Sequence, residues 1–371
     1  MTGKDLLPRI GAQLAVVVGA IALAAAMVAA IGVSPGDALS VFWDGTFGRS
    51  ANLGTTLTQS VPLLLVALGW IVTTRAGRLH VGFPGQVITG GSAATAVGLQ
   101  CGGLPMPLAV LATVAAGGLG GMLWAAVTAW LWASRGVLEI VSSLLLNLVA
   151  VQVAAWLVRG PLQGSLDGQP QSKTFPDSTW WPAYDGIPGR TLSYDVVLLP
   201  ICAILVVVVL SRTVFGFRLR MAGGNRDAAR WSGVDPVREG VKAILISGGL
   251  AGVAGAALLF AGSTPWMSDG FEANVGFNGI AVALLARNSA AAAPIAAIAF
   301  SSLNVGGTAL QAQLDVPSSM ASVLQGAVIV LVLVAAVLLQ RRVSRRAATA
   351  LSPAPESDAK DADPAPLAER V

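Results

Sequence analysis

Gln86, Asn147, Gln152 and Asn278 are the side chains best placed for polar chemistry within the long apolar stretches of this 371-residue chain. All four are uncharged amides that donate and accept hydrogen bonds but carry no proton to transfer near neutral pH. Such groups can hold a neutral, hydrogen-bonding solute transiently. They can equally bond one membrane helix to another, a contact worth about 0.6 kcal/mol on average. No nucleophile and base accompany them. With one histidine, His80, and two distant cysteines, Cys101 and Cys202, neither a metal cluster nor a CxxC pair can be assembled, so no metal site is expected and the cysteines read as small packing residues. The Gly-Lys pair occurs at Gly3-Lys4 alone, which excludes a G-x-x-x-x-G-K-S/T phosphate loop, and no cofactor is expected to be bound by this chain itself.

The elements that must position these amides are set by composition. Hydrophobic residues make up 54% of the chain and charged ones 11%, against about 25% charged in soluble domains, and the mean hydropathy is +0.72. The solvent for most of this chain is a bilayer. Runs long enough to span one, about 17 to 25 residues, lie at 13–33, 57–73, 107–132, 137–158, 194–211, 241–261 and 319–339. Three weaker ones lie at 81–99, which is Gly-rich and carries Pro84, at 276–288, and at 290–304. The fold class expected is an all-α integral membrane protein of about ten transmembrane helices with broken or re-entrant segments. Gly117-x-x-x-Gly121 and Gly248-x-x-x-Gly252 are expected helix-packing faces.

Charge sets the orientation. The formal charge is +4 and the 23 Lys and Arg are scattered between apolar spans rather than gathered in one stripe, which excludes nucleic acid as a partner. Ten crossings with both termini cytoplasmic place most of them on one side, including Arg75, Arg78, Arg135, Arg287 and the cluster Arg341, Arg342, Arg345 and Arg346, as the positive-inside rule requires. The outer segments then hold Arg49, Arg159, Lys173 and Arg190. Residues 1–343 form the membrane domain and 344–371, rich in Ala, Pro, Ser and Asp without periodicity, read as a disordered cytoplasmic tail. Residues 34–56, with Phe42, Trp43 and Phe47, suit a short outer interfacial helix. In the outer loop 159–193, Trp180-Trp181 reads as a headgroup anchor, and His80 as an interfacial cap.

The cytoplasmic loop 212–240 carries the densest charge. Gly223-Gly224-Asn225 can end one helix and cap the next, so Arg226 to Trp231 is expected to form a short helix that Gly233 stops. A capped helix lying across the membrane face is a docking element; its alternative is a solvated basic loop.

In this loop Phe217-Arg218-Leu219-Arg220, Gly224-Asn225, Ala228-Ala229-Arg230 and Ser232-Gly233-Val234 resemble the coupling loop of permeases in the ribose/branched-chain amino acid class of ABC importers. Arg75-Ala-Gly-Arg-Leu-His-Val-Gly-Phe-Pro-Gly-Gln86 resembles that class's R-A-G-L-F-N-I-G-x-E-G-Q segment. Leu138-Glu139-Ile-Val-Ser-Ser-Leu-Leu-Leu-Asn147 resembles its E-x-x-x-S-L-M-L-N helix, and Gly276 through Leu285 its G-F-x-G-I-A-V-A-L-L segment. Val316-Pro317 through Gly326 is similar to the start of its last helix. Gly160-Pro161-Leu162 with Gln171-Ser172 looks most like the nucleoside or simple-sugar permeases. His80, Pro84 and Asn278 depart from the class pattern, which commonly has Asn, Glu and Asp there.

The Gly/Pro-interrupted segments 81–99 and 276–288 are the candidate pathway and fall in corresponding halves, 57–158 and 241–339, compatible with an inverted repeat. The resemblance implies that Gly224, Asn225, Ala228, Ala229, Arg230, Gly233 and Val234 couple to a separate ATPase subunit that uses the ATP. It implies a second permease in the form of a related heterologous chain, an extracytoplasmic substrate-binding lipoprotein, and residence in the plasma membrane. The solute implied is a nucleoside or simple sugar, with branched-chain amino acids or another small solute as alternatives. A secondary carrier or channel is disfavoured because the spans nearly lack ionisable groups, and a membrane enzyme because no catalytic constellation exists.

Overall fold

In the computed structural model of the protein, residues 32–164, 170–184, 192–262, 264–271 and 274–314 are described, with the single positions Ala29, Val323 and Gly326. The expected spans 13–33 and 319–339 and the tail 344–371 lie outside the described residues, apart from these single positions and residues 32–33. Among the described residues every regular element is helical, and β pairing is confined to isolated bridges such as Gln163 with Ser172.

The chain enters through α1 (Pro35–Trp43), which opens on Ser34, whose hydroxyl accepts from the Asp37 amide, with proline in the first turn. A π-helical turn, Asp44–Gly48, follows. Helix α2 (Ser50–Arg75) begins seven residues before the expected span and takes in the end of the stretch read as interfacial. The Ser/Thr-rich start is tolerated because its hydroxyls turn back on the helix: Thr55 Oγ1 donates to the Ala51 carbonyl at 3.0 Å and Thr56 Oγ1 to the Asn52 carbonyl at 3.0 Å. Then come α3 (Phe83–Gly98), α4 (Met106–Arg135), α5 (Glu139–Arg159), α6 (Leu198–Arg212), α7 (Val214–Gly224), α8 (Arg226–Trp231), α9 (Pro236–Phe260), α10 (Val275–Leu285) and α11 (Ala293–Leu314). Six of these spans are long and apolar enough to cross a membrane: α2, α4, α5, α9, α11, and α6 with the turn before it. Helix α11 runs ten residues beyond the expected 290–304 span.

Of the six long spans, α2 and α9 are the most enclosed, wrapped by α3, α4, α10 and α11. The two glycine motifs meet face to face where α4 crosses α9, and a Cβ added to Gly252 would run into the Gly117 carbonyl, one added to Gly121 into the Gly248 carbonyl. Backbones this close are the reason for the small residues. Gly252→Ala should therefore force the helices apart and lower stability by about 1–3 kcal/mol. Gly249→Ala, whose Cβ meets first the flexible end of Met122 at 3.4 Å, should be neutral or stabilising through helix propensity. Thermal unfolding of both variants in detergent checks the contrast.

Trp181 does not anchor the outer loop in headgroups. It is buried against Phe175, Phe260 and Met267, and its amide donates to the Phe260 carbonyl at 3.0 Å, because the loop folds back over the ends of α9 and α4.

Candidate functional site

Two short helices meet inside the bundle. Helix α2 ends at Arg75, and Gly77, at φ +69°, turns the chain into the non-helical stretch Arg78 to Gly82 before α3 opens at Phe83-Pro84. Asn147 of α5 takes over the missing backbone pairing: its Oδ1 accepts from the Gly85 amide at 2.9 Å and its Nδ2 donates to the Val81 carbonyl at 3.0 Å. Helix α10 begins after Asn274, an exposed residue at φ +67°. Gly276 lies so near Pro84 that a Cβ there would strike the Pro84 backbone, so the N-terminal ends of α3 and α10 abut. Positive helix ends and irregular backbone inside a bundle are the features expected of a pathway lining. The far end of α10 turns back through Arg287 and Asn288, both at positive φ, and is tied to α2 where Trp70 Nε1 donates to Asn288 Oδ1 at 3.1 Å.

A buried polar chain braces the broken segment. His80 is fully buried, not an interfacial cap, because Glu139, 59 positions away at the start of α5, lies beside it. His80 Nδ1 is 3.2 Å from Glu139 Oε1, and Arg78 Nη1 is 3.7 Å from Glu139 Oε2. The Arg78 guanidinium also lies 4.2 Å from the centre of the Trp132 ring. Gln86 Nε2 bonds to His80 Nε2. With the amide donating, the ring proton belongs on Nδ1, facing the carboxylate.

Gln86 and Asn147 thus come together at the start of α3, while Asn278 stands half-buried one turn into α10, on the other side of the Pro84–Gly276 contact. Gln152 is not brought to them. It faces outward from α5, on a surface shared with Leu148, Val149 and Trp156.

In the loop 212–240 the break at Gly224-Asn225 separates α7 from α8, as the glycines and asparagine predict. Thr213 caps α7, which the charges at Arg218 and Arg220 obscure in the sequence, and Asn225 Oδ1 caps α8 by accepting from the amides of Asp227 at 3.0 Å and Ala228 at 3.1 Å. Ala229 and Val234 are buried and pin α8 down. Gly224, Asn225, Ala228, Arg230 and Gly233 are exposed, and Trp231 is 92% exposed. Gly233, at φ +76°, stops the helix, and Asp235 caps α9. At the end of α7, Gly223 packs onto the Arg75 carbonyl and the Gly77 backbone. The exposed platform therefore touches the turn that launches the broken segment. The packing of Gly223 on Gly77 and the part of Arg78 beside Glu139 join residues far apart in the chain, so the sequence marks Gly223 as a helix break but not as a contact.

The chain belongs to the permease-component family of branched-chain amino acid transport systems, whose pattern matches residues 52–333. It is 34% identical over 331 residues, 86% of each chain, to a glucose ABC transporter permease protein of Haloferax volcanii. It is 28% identical to a guanosine ABC transporter permease protein of Bacillus subtilis, over 86% of this chain and 91% of that one. A nucleoside ABC transporter permease protein of Lactococcus lactis is 24% identical over 88% of this chain and 90% of its own. No solved structure matches the chain. The protein is a multi-pass plasma-membrane transport component rather than an enzyme, and its family implies an ATPase and a substrate-binding protein as partners.

Proposed function

We propose that this chain is the permease subunit of an importer for a nucleoside or simple sugar, forming the pathway through which a solute delivered by an extracytoplasmic binding lipoprotein is driven by a separate ATPase. The observation that carries the reading is the contact of Gly223 with Gly77, which joins an exposed docking helix to the broken segment of the pathway. ATP is used at the partner; this chain binds no cofactor of its own. Helices α7 and α8 face the cytoplasm with both termini, and 13–33 and 319–339 complete about ten crossings. The order long helix, irregular segment, short helix, long helix occurs at α2 to α4 and again at α9 to α11, which supports an inverted repeat. A related second permease pairs with this one. Gln86, Asn147 and Asn278 line or brace the pathway; Gln152, pointing outward, meets the second permease.

Trp231→Asp should remove an interface anchor of the aromatic kind that dominates binding energy, weakening ATPase association by about 2 kcal/mol, or roughly 30-fold. Co-purification of the ATPase with membrane-inserted variant measures this. Undiminished association would place the dock elsewhere.

A further inference from the structure

At the other end of α2 lies a cleft that the pathway described above does not use. Asn52, Thr55 and Gln59 recur at i, i+3 and i+7 and so form one stripe along α2. Facing them, α11 presents Val305, Thr308 and Ala312 at the same spacing, with Gln313 beside them. Between the two helices is a cavity of about 760 Å³, lined also by Asp44 and Arg49 of the π-helical turn and its flank. That size falls within the roughly 300–1,000 Å³ of small-ligand sites, and π turns are frequent beside such sites.

The walls are fixed. Asn52 Nδ2 donates to the Asp44 carbonyl at 2.8 Å, Thr46 Oγ1 to the Phe42 carbonyl at 2.7 Å, and Ser301 Oγ to the Thr56 carbonyl at 2.7 Å. Gly45 closes against Ala309 with no room for a side chain. Gln59 and Gln313, by contrast, are exposed and spend no hydrogen bond on a described residue. Hydrocarbon would be a poor solvent for so many polar groups.

We propose that this cleft is the receiving site for a neutral hydroxylated ring, a pyranose or the ribose of a nucleoside, held by the amides of Gln59 and Gln313 as donors and acceptors, and by the hydroxyl oxygens of Thr55 and Thr308 as acceptors, their own protons going to the Ala51 and Asn304 carbonyls at 3.0 Å. Amides and hydroxyls match the mixed donors and acceptors of ring hydroxyls, and the methyl groups of Val305 and Ala312 suit the C–H face. The two charged residues in the described lining, Asp44 and Arg49, are of opposite sign, so the lining carries no net charge that would select an anion or a cation. No aromatic side chain lines the described cleft, so the ring hydroxyls, not a stacked base, carry recognition.

This assignment rests on the importer reading, and the test separates the two. Full transporter, with its ATPase and binding protein, is reconstituted and its uptake of labelled D-glucose and of guanosine is measured separately. Gln59→Leu and Gln313→Leu should each cut uptake of the transported probe about tenfold while binding-protein-stimulated ATP hydrolysis stays within twofold. In a Cys101→Ser, Cys202→Ser background, Thr308→Cys should react with an impermeant thiol reagent, and the probe should slow that reaction at least fivefold. Wild-type transporter that pumps while both leucine variants pump equally well, or labelling indifferent to the probe, overturns the site alone. Loss of ATP hydrolysis together with uptake marks a structural wall and also overturns it. Wild-type transporter that pumps neither probe overturns the importer reading for these solutes and the site with it.

Discussion

Gly223→Ala is expected to abolish most solute uptake while ATP hydrolysis by the assembled transporter continues. The added methyl would run into the backbone of the turn it packs on: the Arg75 carbonyl oxygen, the Gly77 nitrogen at 2.8 Å and the Ala76 carbonyl carbon at 3.0 Å. Neither side can yield cheaply, since Ala76 and Gly77 form the hydrogen-bonded turn that ends α2. Helix α7 must therefore lift off the turn. Packed interfaces switch between discrete arrangements rather than stretch, so a gap there breaks the link from dock to broken segment, and uptake should fall by about tenfold or more. Gly103→Ala, where an added Cβ meets nothing within 4 Å, is the matched control and should transport like wild type. Equal uptake in the two variants would dissolve the proposed link.

Glu139→Ala should produce the largest loss of stability. It strips the carboxylate from beside two buried bases, Arg78 and His80. Removing one partner of a buried ion pair costs about 3–5 kcal/mol because the remaining charge stays desolvated. The midpoint of thermal unfolding, followed through tryptophan fluorescence in detergent, should drop accordingly. The paired change Arg78→Met with Glu139→Met replaces both charges with apolar groups of similar length, and should recover at least half of the loss. A double variant as unstable as the single one would mean that Glu139 acts by filling space and not by charge.

The helices were legible in the sequence where apolar runs were continuous, as in α4, α5 and α9, because length and hydropathy suffice for a span. The start of α2 was not. Ser50 to Ser60 reads as polar, and its self-satisfied hydroxyls come to light only once the helix exists. Helix α8 was readable from Asn225 and Gly233, since capping is a local matter. What escaped was long-range. The burial of His80 depends on Glu139, and the seat of Trp181 on Phe260, neither of which leaves a mark on the local sequence. The stripe of Asn52, Thr55 and Gln59 has a readable helical period, but only the face of α11 opposite makes it a cavity.

Reconstitution of the chain with and without its ATPase tests the central claim most directly. With binding protein outside, labelled D-glucose or guanosine should accumulate only when the ATPase is present and ATP is supplied on its side, and should not accumulate in vesicles holding the chain alone. Accumulation by the chain alone, driven by an imposed proton or sodium gradient, would contradict the account and make this protein a secondary carrier.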